Sequence, residues 1–202
     1  MRPKLSAQTP LVLASASEGR RQQLARVGVP FTVEPSRVDE DALKAELADV
    51  PLPLRAPALA KAKADEVSAR MPGAVVIGGD QICALGLEVL SKPLTTERAA
   101  AQLKLLSGRT HYLHTAGVLV RDGELLWQGV STTALTMRRL TDADIAAYLE
   151  RDDVRHCCGS YKIESFGLHL FARLDGDETA IPGLPLVGLL AALHGHHLLS
   201  LE

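Results

Sequence analysis

Apolar and polar positions alternate along this chain in short extended runs separated by longer stretches of helical spacing. Leu11 to Ser15 has the character of a strand, and Ser17 is placed to cap a helix through Glu18-Gly19-Arg20-Arg21-Gln22-Gln23-Leu24 that Gly28 stops. The residues before Leu11 read as a disordered start. Phe31 to Pro35 gives a second strand, and Val38-Asp39-Glu40 leads into a helix expected over Asp41 to Ala48. Pro51, Pro53 and Pro57 form a short punctuated connection to an alanine-rich helix over Ala58 to Ala69, which carries Lys61 and Lys63.

The β-branched run Val75-Val76-Ile77 suits a buried strand. Gly78-Gly79 is expected to let the backbone leave the sheet there and to deliver Asp80 at a strand end. Ile82 to Ala84 and Glu88 to Leu90 alternate around Gly86 like a hairpin that Lys92-Pro93 closes. Thr95 or Thr96 caps a helix with Ala99, Leu103 and Leu106 on one face, ending at Gly108. His111 to Val120 and Glu124 to Met137 are two longer strands turned at Asp122-Gly123, and Thr141-x-x-Asp144 resembles a capping box for a helix through Tyr148 and Leu149. After the dense segment His156 to Glu164, a strand is expected over Gly167 to Leu174. A last helix starts in Pro182-Gly183-Leu184-Pro185-Leu186, with Pro185 in its first turn.

With 202 residues, 47% hydrophobic and 3% aromatic, this pattern predicts one α/β unit or two small lobes sharing a cleft. A net charge of -2 argues against a surface that coats nucleic acid or binds anionic membrane and favours a small partner or a protein. The odd set Cys83, Cys157 and Cys158, without a CxxC, fits reduced cytosolic chemistry. Arg2 and Lys4 precede an apolar stretch, yet Leu11-Val12-Leu13-Ala14 is shorter than the ~7–15 residues of a secretory core, so a soluble, unexported protein is expected.

Asp80 is the leading candidate for chemistry. An acid at the carboxyl end of a strand can bind a metal or take a proton from water, although taken alone it is slightly more often a turn cap. Backbone N–H groups at the helix following Ser15 and Ser17, with Arg20 and Arg21 nearby, make a combination that holds phosphate oxygens. Asp39 and Glu40 offer hard oxygen donors for Mg²⁺ or Mn²⁺, or a solvated acidic loop. His194-Gly195-His196-His197 is best explained as a solvated tail and Cys157-Cys158 as packing.

Taken together, Leu13-Ala14-Ser15-Ala16-Ser17 with Arg20-Arg21, Val38-Asp39-Glu40, Ile77-Gly78-Gly79-Asp80-Gln81 with Ser91-Lys92-Pro93 and Leu106-Ser107-Gly108-Arg109-Thr110, and Gly159-Ser160-Tyr161-Lys162 with Gly183-Leu184-Pro185 resemble, in order, the Maf family of nucleoside triphosphate pyrophosphatases. The resemblance implies a single Maf-like domain with its core at about residues 10–195. Its fold would be a mixed-sheet α/β one of inosine-triphosphatase type, two lobes around a nucleotide cleft, in a cytosolic homodimer with no nucleic-acid polymer or membrane as partner. The implied reaction converts NTP and water into NMP and pyrophosphate, as house-cleaning of non-standard nucleotides, with a divalent cation, Mg²⁺, Mn²⁺ or Co²⁺. The family's proton acceptor falls on Asp80, its phosphate-handling cations on Arg20, Lys61, Lys92 and Lys162, and its metal-binding acids on Glu40 and Asp80.

Gln81 after Asp80, and Glu164 within Tyr161-Lys162-Ile163-Glu164, are similar to the branch of the family that hydrolyses 7-methyl-GTP. Gly19 occupies the position where that branch has Trp, so a stacking surface worth roughly 0.5–2 kcal/mol toward a cationic base is missing. The alternatives are the same reaction on dTTP, UTP or another modified triphosphate, or a nucleotide-binding regulator of septation without turnover.

Overall fold

The computed structural model describes residues 5–7 and 9–201, and nothing of the side chains of Leu5 and Leu201; Arg2 and Lys4 lie outside the described residues. In chain order the elements are β1 (Leu5–Ala7), β2 (Leu11–Leu13), α1 (Glu18–Arg26), β3 (Thr32–Val33), α2 (Glu40–Glu46), α3 (Leu52–Arg70), β4 (Val75–Leu85), β5 (Glu88–Leu90), α4 (Thr96–Leu106), β6 (Thr110–Arg121), β7 (Glu124–Met137), α5 (Asp142–Leu149), β8 (Phe171–Asp175), α6 (Leu186–Gly195) and β9 (Leu199–Leu201). The main sheet runs β3-β2-β4-β6-β7-β8 with β5 paired to β4, and β1 pairs with β9. It is mixed: β2 is parallel to β3 and β4, whereas β5 and β8 are antiparallel to their neighbours. Among the described residues no helix is long and apolar enough to cross a membrane.

The chain divides into two compact units. One comprises the residues up to Gln81, Thr115–Ser131 and those from Gly183 onward, and the other Ile82–His114 and Thr132–Pro182. In the first, Leu11, Leu13, Val75 and Ile77 share one sheet face with Leu24 of α1 and with Leu189 and Leu193 of α6. The period of two turns Val76, Gly78 and Asp80 to the opposite face, where α3 lies. A Cβ on Gly78 would stand 2.4 Å from the Ala60 carbonyl oxygen and 2.8 Å from the Ala64 Cβ, so α3 rests directly on the strand backbone. In the second unit Leu103 and Leu106 of α4, Ile145 and Tyr148 of α5, and Leu113, Leu135 and Met137 of the strands form a core of their own.

Several elements differ from expectation, each for a local reason. Gly78-Gly79 does not end its strand: β4 continues to Leu85, so Asp80 lies mid-strand, and the glycines serve close packing. The proline-rich connection is the start of α3. Pro51 is its N-cap and Pro53 sits in the first turn, where its missing N–H has no intrahelical acceptor, while Pro57 is buried within the helix. The acidic helix begins at Glu40, and Asp39 is its cap, accepting from the amides of Asp41 and Ala42. Ser17 occupies the N-cap position of α1 without a side-chain cap bond. The expected strand over Gly167 to Leu174 opens as a 3-10 helix, Phe166–Leu170, before β8. Pro185 is the N-cap of α6, one position ahead of its first turn.

Of the residues before Leu11, where a disordered start is expected, Leu5–Ala7 form a strand that pairs antiparallel with Leu199–Leu201. His194 and His196 are exposed, but their rings hydrogen-bond the carbonyl groups of Leu199 and Leu126, so this segment is not a free tail.

Gly78→Ala should lower stability by about 1–3 kcal/mol, because the new methyl meets backbone. Gly195→Ala, at a position with open space, should be neutral or slightly stabilising. Urea unfolding of both variants checks this; equal stability of the two would refute the packing role of Gly78.

Candidate active site

The parallel pairing of β2 with β4 ends at Leu13↔Ile77, and Ala14 N–H donates to the Ile77 carbonyl at 2.9 Å. Gly78 to Gln81 therefore extend past the carboxyl end of β2, the place where ligands of parallel α/β sheets sit. Asp80 is buried there. Lys63 Nζ, also buried, donates to Asp80 Oδ1 at 2.7 Å and to Glu40 Oε1 at 2.9 Å, tying two carboxylates from β4 and α2 to one ammonium on α3. Lys44 adds a looser contact of 3.4 Å to the other Glu40 oxygen. Burial alone would raise the Glu40 pKa, but the hydrogen bonds and charges of Lys63 and Lys44 hold it below its ordinary value.

Of the acidic pair foreseen at residues 39 and 40, only Glu40 reaches this cluster, since the Asp39 carboxylate accepts the α2 amides. Lys63 was not foreseen as a site residue. Lys61, two positions earlier and so about 200° around the helix, pairs with Asp65 at 2.6 Å. The signal for Lys63 was present in the sequence, because Ala56, Ala60, Lys63 and Val67 follow the spacing of a buried stripe and are all buried.

A second constellation approaches β4 from its other face. Ser15 Oγ accepts from Ser17 N at 3.2 Å and from Arg20 Nη1 at 2.9 Å, and Arg20 Nε donates to the Gly183 carbonyl at 2.9 Å. A Cβ on Gly79 would lie 3.1 Å from Arg20 Nε and 2.6 Å from Leu184 Cδ2, so the missing side chain leaves room for the guanidinium. Arg20 is thus fixed in position at the start of α1, whereas Arg21 pairs with Glu18 at the surface. Ser15, the Arg20 guanidinium and the N–H groups at the start of α1 make an arrangement suited to phosphate oxygens.

The remaining expected residues fall as follows. Gly19 lies half-buried in the first turn of α1, and Gln81 Nε2 donates to Thr115 Oγ1 at 2.8 Å. In the second unit Lys92 is exposed just after β5, Lys162 is half-buried with its backbone N–H on the Tyr148 hydroxyl, and Glu164 is exposed. None of the three cysteines forms a disulfide, and burial above all pushes the Cys157 thiol up to about 11, so it is not an activated nucleophile. Among the described residues no group of three or more His, Cys, Asp and Glu side chains is placed to hold a metal.

An α/β unit with acid and cation past the end of a parallel strand, and a serine–arginine turn on its opposite face, is of the phosphate-handling kind. The chain belongs to the Maf family: residues 10–196 match the description Maf-like protein. It is 43% identical over 194 residues to a nucleoside triphosphate pyrophosphatase of Nitrobacter winogradskyi, covering 95% of this chain and 96% of that one. It is 44% identical over 194 residues to a protein of the same name from Rhodospirillum rubrum, covering 94% and 96%. Similarity to a 7-methyl-GTP pyrophosphatase of Rhizobium etli is equal in degree, 44% over 187 residues, covering 91% and 94%.

Removing the shared ammonium should expose how far the cluster depends on it. Lys63→Met should cost about 3–5 kcal/mol near neutral pH, where it leaves Asp80 buried without its ion pair. The folded-state pKa of Glu40 is depressed, so its stabilising effect is full above the unfolded carboxylate value of 4.5 and fades as pH falls through the lower folded value. The gap between wild type and variant should therefore narrow below pH 4.5, as measured by urea unfolding; a gap independent of pH would contradict the assignment.

Proposed function

We propose that this protein hydrolyses nucleoside triphosphates to the monophosphate and pyrophosphate. The observation that carries the proposal is the Asp80 carboxylate, buried past the end of β2 and held at 2.7 Å by the Lys63 ammonium, which also holds Glu40. Family membership and high-coverage similarity to proteins named for this reaction support it.

Asp80 orients the attacking water and accepts its proton as oxygen bonds to the α-phosphorus and pyrophosphate leaves. Lys63 fixes the direction of the carboxylate, so the base is positioned before substrate arrives. Charge builds on the non-bridging and leaving oxygens during attack, and Ser15, Arg20 and the N–H groups opening α1 answer it with preorganised donors. By the resemblance, Lys92 and Lys162 contribute further cations to phosphate, and Lys61 the same if its pairing with Asp65 is exchanged for substrate.

A divalent cation fits the donor set. Asp80 and Glu40 are hard oxygen ligands drawn to one positive centre, the Lys63 ammonium, and Mg²⁺ commonly takes one or two carboxylates and completes its shell with phosphate oxygens and water. These two residues would hold it, and when bound it supplies charge neutralisation on the triphosphate. Gln81, Glu164 and Gly19 are the positions proposed to choose the base. The acidic Glu164 favours a cationic or N–H-rich guanine edge, in keeping with the similarity to the protein named 7-methyl-GTP pyrophosphatase.

Asp80→Asn should lower kcat by at least about 100-fold for the best of a panel of GTP, 7-methyl-GTP, dTTP and UTP, with triphosphate binding retained. Ion chromatography of products and a binding titration with the same nucleotide measure both. Retained turnover in this variant, or orthophosphate in place of pyrophosphate from wild type, would refute the proposal.

A further inference from the structure

The turn that carries Lys162 and Glu164 is held more tightly than a surface connection requires. Lys162 N–H donates to the Tyr148 hydroxyl at 2.9 Å, the Lys162 carbonyl accepts from Ser165 N at 3.2 Å, and Ser165 Oγ donates to Asp152 Oδ1 at 2.7 Å. Gly167 is buried against the same residue. A Cβ there would stand 2.3 Å from the Lys162 carbonyl oxygen and 2.9 Å from its nitrogen, backbone atoms that cannot swing aside.

Two of the anchors lie inside, and Glu164 lies outside. Tyr148 and Asp152 are 5% and 8% exposed, whereas Glu164 and Ser165 are exposed. Tyr148 belongs to the core formed by Leu103, Ile145 and their neighbours, so its hydroxyl has a fixed origin. Burial above all raises the phenol pKa, and the Asp152 carboxylate adds to this by charge and hydrogen bond, which keeps the hydroxyl neutral. Burying a carboxylate such as Asp152 is unfavourable unless it is hydrogen-bonded, and its Oδ1 accepts from Ser165 Oγ in the turn.

We infer that Tyr148, Asp152 and Ser165 are positioning residues that set substrate selectivity by fixing the turn from Lys162 to Glu164. The inference rests on the roles proposed above for Lys162 and Glu164. Neither long side chain makes a selective contact unless its backbone is held, and a misplacement of about 1 Å can cost on the order of 100-fold in rate. The buried pair supplies that constraint from the core of the second unit, and Ser165 clasps the exposed end of the turn to it.

Ser165→Ala, Ser165→Thr and Tyr148→Phe test this, since Ser165 is exposed and Phe retains the Tyr148 ring in its core. Ser165→Ala and Tyr148→Phe should raise KM more than they lower kcat. They should also compress the kcat/KM ratio between the best triphosphate and the others in the panel by about fivefold, the worth of one hydrogen bond. Ser165→Thr should restore the wild-type ratio. Amide hydrogen exchange at Lys162 should quicken in Tyr148→Phe, a readout independent of turnover. Unchanged ratios in the Ala and Phe variants of an active enzyme would overturn the inference and leave the proposed reaction standing. A wild type that releases no pyrophosphate would overturn that reaction and the selectivity role with it, and unchanged exchange in Tyr148→Phe would overturn the anchoring itself.

Discussion

One buried ammonium ties together the two carboxylates on which the proposed chemistry rests. Lys63 brings together carboxylates from two elements far apart in sequence, Asp80 on β4 and Glu40 at the first position of α2. Two carboxylates at such close quarters repel, and each loses hydration on burial. The lysine meets both costs only while its geometry stays good. This makes the position of α3 relative to β4 critical, and Gly78 sets it: without a side chain the strand backbone accepts Ala60 and Ala64 in direct contact, which places Lys63 level with Asp80.

The next residue applies the same device on the other face. Gly79 leaves room for Arg20, whose guanidinium is fixed by Ser15 and the Gly183 carbonyl. Consecutive glycines in one strand thus admit a helix on one side and an arginine on the other. The helix that carries Lys63 and the guanidinium of Arg20 thereby approach β4 at successive residues. Side chains held by these contacts are already in place before a ligand enters, which favours electrostatic stabilisation over reorganisation.

Much of this was legible in the sequence, and the failures have physical causes. Asp80 after a β-branched run and Arg20 in a first helical turn are weak patterns alone, and they stand out because the ordered resemblance places family roles on them. The continuation of β4 through Gly78-Gly79 is hidden, because glycine marks a turn and a close approach equally well. Lys63 follows the buried stripe of α3, yet lysine on a helix is usually solvated and Lys61 competes for the same role. Three prolines mask the first turns of α3, where two of them occupy positions at which a missing N–H costs little. In the second unit Phe166-Gly167-Leu168 alternates as a strand would, but Gly167 pressed on the Lys162 backbone imposes a 3-10 turn that no local pattern announces.

The central claim is that water held by Asp80 attacks the α-phosphorus. Hydrolysis of the preferred triphosphate in ¹⁸O-labelled water, followed by mass spectrometry of both products, tests it most directly. The label should enter the nucleoside monophosphate and be absent from pyrophosphate; label in pyrophosphate, with an unlabelled monophosphate, would place the attack at the β-phosphorus and contradict the account.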